Sequence, residues 1–394
     1  MSSLLNLLYI YDPWLFHFLR MSFLVGVAVL LWIGYKLYKR QLNNFIIPKD
    51  SIFVLIGLII LSVIPLLING SRELSVVAMY CRLLIMFVFG IGIYNVFYSN
   101  INGKEKLISD IKNGIIIQAI IGLFALCSIQ LFIGVALNSH ILLPRFYGSE
   151  QEYRLFNFTS SAFFQLSLFY LFLLHFLLAY NNKTDKLSGF YIFLILFIGV
   201  ISGRTFFTFS ILSILIYFKL RYIPWLILFT IIVLFLSIYC QDNIYVAHAF
   251  EPIINLIKYG TLESSSTDTL MKKHLFIPEL KQLIMGDGHY FTPEGHYYGG
   301  SDSGFIRQAL YGGLGYSLVC FLFTAYFVKR VAENWLENSW LFTLSTLFIL
   351  SILNIKADTY AFPGLMLVLL MFLSLFSDNN NQREKKVILF QREK

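Results

Sequence analysis

Between residues 286 and 307 the chain gathers side chains that can move protons or hold polar ligands: Asp287, His289, Tyr290, Glu294, His296, Tyr297, Asp302 and Arg307. A carboxylate or imidazole beside a reacting hydroxyl can accept its proton, so Asp302, His296 and His289 are the candidate catalytic residues. Each also has an ordinary alternative. Asp302 stands just ahead of an apolar run, where it could cap a helix by accepting its first N–H groups; the two roles are compatible. His289 and His296 flank a Pro293-Glu294-Gly295 turn and read equally as loop residues. Tyr290, Phe291, Tyr297 and Tyr298 bracket the histidines. Aromatic faces stack on the C–H surfaces of sugars, although tyrosine also collects at membrane interfaces. His248 and His274 sit in more apolar surroundings and read as plain loop residues. The spacing of Asp287, His289, His296 and Asp302 matches no zinc or EF-hand pattern, so no metal site is expected.

The elements that must position these groups are built for lipid. Hydrophobic residues make up 58% of the 394 and charged residues 13%, with a mean hydropathy of +0.71. A soluble domain needs far more surface charge, so an all-α integral membrane protein is expected. A hydrocarbon core of about 30 Å takes roughly 20 apolar residues as helix. Spans are predicted near 18–37, 51–68, 75–98, 114–137, 161–180, 189–203, 205–219, 222–240, 305–328, 338–354 and 360–377. That is about eleven transmembrane helices, with 189–219 read as two short ones joined at Ser202-Gly203-Arg204. The organisation expected is an N-terminal bundle over 1–240, one large loop with short helices over 241–304, C-terminal helices over 305–377 and a basic, disordered tail over 378–394. Residues 1–17 are too short to span and read as an interfacial segment. Cys81, Cys127, Cys240 and Cys320 form no CxxC pair and support neither a disulfide framework nor a thiolate metal site.

Lys and Arg fix the expected orientation. Lys36 to Lys49, Lys104 to Lys112, Lys183 and Lys186, Lys219 and Arg221, Lys329 and Arg330, and the tail occupy alternate loops, which are therefore cytoplasmic. The 241–304 loop falls on the other side. The net charge of +8 resides at span ends, where anionic headgroups lie, and does not point to nucleic acid. Six cationic residues remain on the outer side: Arg82, Arg145, Arg154, Arg204, Arg307 and Lys356. Guanidinium groups there suit a phosphate or diphosphate, to which each donates paired hydrogen bonds. Snorkelling to headgroups is the alternative. It is weaker for Arg82, whose depth costs about 2.5–3.5 kcal/mol on insertion scales, and for Arg204, which sits in a tight turn.

Three stretches carry a resemblance. They are Ile201-Ser-Gly-Arg-Thr205; Met285-Gly-Asp-Gly-His-Tyr290 with Gly300-Ser-Asp-Ser-Gly-Phe-Ile-Arg307 and Tyr311-Gly-Gly-Leu-Gly315; and Leu353-Asn-Ile-Lys-Ala-Asp358. Together with the plan of spans and one dominant outer loop, they resemble the bacterial O-antigen polymerases (Wzy-type) and the wider superfamily that includes the O-antigen ligases. The resemblance implies transfer of a growing glycan from undecaprenyl diphosphate onto a new lipid-linked repeat unit, at the periplasmic face of the cytoplasmic membrane. It implies no nucleotide, redox or metal cofactor. The partners implied are the undecaprenyl-diphosphate-linked oligosaccharide, membrane lipid and a chain-length regulator protein. Arg204, Arg82, Arg154, Arg307, Lys356 and Tyr290 would bind diphosphate and glycan, and Asp302, His296 or His289 would take the acceptor proton. The alternatives are a ligase of the same superfamily, whose loop histidine neither His289 nor His296 clearly matches, and a lipid-linked oligosaccharide flippase or transporter.

Overall fold

Apolar runs bounded by glycine, proline and capping residues fold as helices throughout, giving an all-α, multi-pass architecture. The computed structural model describes residues 1–15, 19–41, 45–136, 157–260, 270–377 and 386–389. The first stretch holds α1 (Ser2–Ile10), strands β1 (Trp14–Leu15) and β2 (Leu19–Arg20), α2 (Met21–Tyr38), β3 (Phe45–Pro48), α3 (Lys49–Asn69) and α4 (Ser75–Phe97). Next come α5 (Gly103–Leu126), α6 (Gln130–Ala136), α7 (Phe163–Thr184), α8 (Gly189–Ser202), α9 (Arg204–Ile216), α10 (Ile223–Tyr239), α11 (Ile244–Ala249) and α12 (Glu251–Tyr259). The last stretch holds α13 (Leu280–Met285), α14 (Gly304–Trp335), α15 (Trp340–Asn354), α16 (Leu365–Leu373) and β4 (Lys386–Leu389), which pairs antiparallel with β3.

Among the described residues, seven helices are long and apolar enough to cross a membrane: α2, α3, α4, α5, α7, Leu220–Tyr239 and α14. Three shorter apolar helices, α8, α9 and α15, fall on predicted spans. The predicted span at 114–137 is the least well placed. Its helix begins at Gly103 and ends at Leu126, with α6 separate. Hydropathy marks the stretch suited to lipid, whereas the polar turns around Lys104, Glu105 and Asp110 are equally able to be helical. Local signals set several boundaries. Gly70 closes α3 in the left-handed conformation, and Ser188, Asn243 and Ser339 cap α8, α11 and α15 through their side chains.

The chain divides into two compact units. The first comprises Met1–Ala28, Asn100–Ser264 and Gly364–Met366. Its centre is α7, buried along nearly all its length, with His175 Nδ1 3.1 Å from Ser213 Oγ on α9. At one end of this unit the basic loops meet. Lys112 donates to Lys186 O at 3.3 Å, Lys219 donates to Asn181 O at 2.8 Å, and Arg221 pairs with Asp185 at 3.0 Å.

The second unit comprises Val29–Ser99, Ser265–Pro363 and Leu367–Lys394. Its axis is α14, whose 32 residues would run roughly 48 Å at ~1.5 Å each, longer than a bilayer core requires. The helix is broken at Gly312 and Gly313. Its first turns carry Arg307 and Gln308, and its last turns Lys329, Arg330, Glu333 and Asn334. The break is where α13 docks: Asp287 N donates to Leu310 O at 2.7 Å and Gly288 N to Tyr311 O at 3.0 Å. These bonds satisfy carbonyls that the interrupted helix leaves without partners. Gly286 and Gly313 allow the approach. A Cβ on Gly286 would lie 2.5 Å from the Tyr311 and Gly312 backbone, and one on Gly313 2.4 Å from Ile284 O.

Candidate functional site

In the second unit, docking of 286–288 against the break delivers Tyr290 to the face of α14 that carries Arg307. Tyr290 N donates to Glu73 Oε2 at 2.8 Å, which fixes the strand-like segment to the turn between α3 and α4. The Arg307 guanidinium is buried, at 3% exposure. It lies 3.6 Å from the Tyr297 ring centroid and 4.5 Å from that of Tyr290, with Phe362 at 5.8 Å. Such stacking suits the flat, weakly hydrated guanidinium better than it would an ammonium.

A relay of hydrogen bonds balances the buried charge. Arg307 Nη2 donates to Tyr290 Oη. Tyr290 Oη donates to Asp358 Oδ2 at 2.6 Å, and Gln308 Nε2 donates to Asp358 Oδ1 at 2.7 Å. Burial pushes the Asp358 carboxyl above the ordinary carboxylate range, while Arg307 and the bonds from Tyr290 and Gln308 oppose it. Burial likewise holds the Tyr290 phenol far above its ordinary value, so it remains a protonated donor. Arg307 Nε, Gln308 Oε1 and Asn354 Nδ2 are buried without a hydrogen-bond partner among the described residues. Orphaned donors and acceptors of this kind are expensive in a finished core.

At the start of α14, Asp302 is exposed and its carboxylate faces His274, with Oδ2 3.5 Å from Nε2. His274 Nδ1 is 2.9 Å from Gly300 O and 3.3 Å from Asp302 N. The Nε2–H tautomer serves Asp302 on both sides. The imidazolium instead donates Nδ1–H to Gly300 O and Nε2–H towards Asp302, so either form of the ring finds hydrogen-bond partners. Ser301 Oγ donates to His274 O at 2.6 Å and ties the two segments together.

Of the residues singled out from sequence, Tyr290, Arg307 and Asp302 are thus gathered around the beginning of α14. His289 is half-buried, its ring 5.4 Å from that of Tyr298. His296 is exposed beside the Thr292 turn, its carbonyl accepting from Thr292 N at 2.8 Å. Lys356 is half-buried in the turn after α15, its N–H bonded to Leu353 O at 2.9 Å. Arg82 is exposed on α4. Arg154, like Arg145, lies outside the described residues. In the first unit, Arg204 opens α9 and forms an ion pair with Glu251 of α12. A cation at a helix N-terminus is disfavoured by the helix dipole, and Glu251 offsets that.

Asp358, Gln308, Glu73 and His274 were not among the sequence candidates. Asp358 carried a signal, being an acid in a short turn between two apolar runs. His274 carried none, because its partner Asp302 stands a whole segment away. Among the described residues, no group of three or more His, Cys, Asp or Glu side chains is arranged to hold a metal ion. No protein-family model, curated protein or solved structure matches the chain.

Proposed function

We propose that this protein is a membrane-embedded glycosyltransferase of the surface-polysaccharide polymerase type, acting on undecaprenyl-diphosphate-linked glycans at the outer face of a bacterial cytoplasmic membrane. The observation that carries the reading is one meeting of groups at the start of α14. A buried guanidinium with an unpartnered Nε–H stands with the His274 and Asp302 pair. Under this reading α8, α9, α15 and the whole stretch 360–377, of which α16 is the helical part, join the seven longer helices as spans, eleven in all. The basic loops are cytoplasmic and the tail with them.

Each part has a task. The acceptor hydroxyl attacks the anomeric carbon of the donor sugar. The bond from that carbon to the diphosphate oxygen breaks, and undecaprenyl diphosphate leaves with the electron pair. The hydroxyl proton passes to the His274 and Asp302 pair. Arg307 binds the departing anion through Nε, and fixed charge of this kind works best where water is excluded. Tyr290, Gln308 and Asp358 position Arg307 and do not touch the sugar. Tyr297 offers an aromatic face beside it.

The test is turnover by the purified protein in lipid, supplied with its organism's own lipid-linked repeat unit and no nucleotide. A ladder of chain lengths is expected, abolished in Arg307→Lys, which keeps the charge but cannot donate in the same plane. Removal of a positioned charge donor of this type costs about 10²–10³ in rate. Transfer only after addition of a lipid-core acceptor would make the protein a ligase. Movement of the lipid-linked unit between leaflets without any new bond would make it a flippase.

A further inference from the structure

Helix α13 belongs to a stretch expected from sequence to stay outside the membrane, yet its backbone ties it to the end of one candidate span and to the break in another. Met285 O accepts from Asn69 Nδ2 at 3.3 Å, and Asn69 is the last residue of α3. Ile284 O is the atom that a Cβ on Gly313 would meet at 2.4 Å, and Gly313 opens the apolar part of α14. Both contacts hold the C-terminal end of α13 at the level of the last residue of α3 and of the break in α14.

At that level the segment turns large aliphatic side chains outward. Ile277 is 90% exposed, Leu280 74% and Ile284 64%, the last two one helical turn apart. On α14, in the turns after the break, Leu314, Leu318 and Leu322 are likewise 60%, 56% and 55% exposed at helical spacing. The opposite side of α13 is occupied, with Gln282 Nε2 donating to Asp287 Oδ2 at 2.6 Å. Lys281 is exposed at the edge of the aliphatic stripe.

We propose that residues 277–285 form an interfacial element that seats Ile277, Leu280 and Ile284 in the acyl–headgroup boundary of the bilayer, with Lys281 reaching the lipid phosphates. In water this patch would be a liability. Beside a lipid-facing stripe and flanked by a lysine, it has the composition of a membrane-surface element. The assignment does not depend on the reaction proposed above. It makes the segment that carries Asp287 and Tyr290 to α14 a lipid-contacting one.

The experiment uses the full chain with its four cysteines replaced by serine, reconstituted in phosphatidylethanolamine and phosphatidylglycerol vesicles. Nitroxide labels are attached through Ile277→Cys, Leu280→Cys, Lys281→Cys and Ile284→Cys, all exposed positions where a label leaves the packing intact. Collisions with oxygen, enriched in lipid, and with a water-soluble nickel chelate are compared. The expected result is a several-fold higher oxygen-to-nickel ratio at 277, 280 and 284 than at 281. Free access of nickel at 280 and 284 would overturn the proposal, since the face would then be in water. So would immobile labels reached by neither reagent, since a protein surface would then cover it.

Discussion

At the residue scale, the arrangement around Arg307 reflects how a buried cation is tolerated. A guanidinium taken from water costs several kcal/mol unless partners replace the lost hydration, and removing one partner of such a set costs about 3–5 kcal/mol. Here Tyr290 joins Arg307 to Asp358, and Gln308 completes the carboxylate. Asp358 has a consequence for pH. Burial raises its carboxyl above the ordinary value of about 3.9, so the folded chain holds that proton more tightly than the unfolded one. The stability this provides is complete below about pH 3.9 and is lost as pH rises through the raised native value. Thermal unfolding of the wild type, measured against Asp358→Asn from pH 4 to 7, is therefore expected to lose ground as pH rises. A difference that is flat, or that grows with pH, would show that pairing with Arg307 outweighs burial. Arg307 and Tyr290 were legible in the sequence, since a cation and aromatics beside an apolar run stand out. That Asp358 is their shared partner was not, although the acid itself stands out in its turn. Nothing local in the 353–358 turn says which of the outer basic groups it would meet.

At the scale of elements, the site depends on the interruption of α14. The sequence announces glycines at 312, 313 and 315, which read as tight turns or close helix packing. It does not say that Gly286 is their counterpart. The two halves of that contact are reciprocal. Gly286 has φ 68° and ψ −171°, Gly313 has φ 75° and ψ −178°, and both lie in a region essentially reserved for glycine. A Cβ on Gly286 would strike the Tyr311 and Gly312 backbone, and one on Gly313 the Leu283 and Ile284 backbone. Gly313→Ala is therefore expected to destabilise the protein by about 1–3 kcal/mol from backbone strain alone, with the clash added to it. Gly315→Ala, where a Cβ meets nothing within 4 Å, is the control and should be near neutral. Equal effects at 313 and 315 in thermal unfolding would mean that α13 does not dock at the break. The spans themselves were the most legible elements, because hydropathy reports directly on suitability for lipid. Their ends were less so, as the early start of α5 illustrates.

At the scale of the whole molecule, the proposed chemistry stands or falls on sidedness, and the chain's own cysteines can read it. Within the first unit, the loops around Lys112, Lys186 and Lys219 gather at one end. At another end of the same unit, Asn243 Nδ2 donates to Leu126 O at 3.0 Å, and Arg204 meets Glu251. Cys127 and Cys240 stand there, as the residues that close α5 and α10. Cys127 is exposed and Cys240 partly so, whereas Cys320 is buried. Between Cys240 and Asp302 the described helices α11, α12 and α13 have six, nine and six residues, each well short of the roughly 20 that cross a core. Cys240 and Asp302 are therefore expected on one side of the membrane. With Cys127 or Cys240 kept as the sole cysteine, a membrane-impermeant maleimide should label sealed spheroplasts, and Cys320 alone should stay unlabelled until the protein unfolds. Labelling of Cys127 and Cys240 only in inverted vesicles would reverse the topology. Arg307, His274 and Asp302 would then face the cytoplasm, where nucleotide-linked donors are available, and an outer-face polymerase would no longer be the function that the site supports.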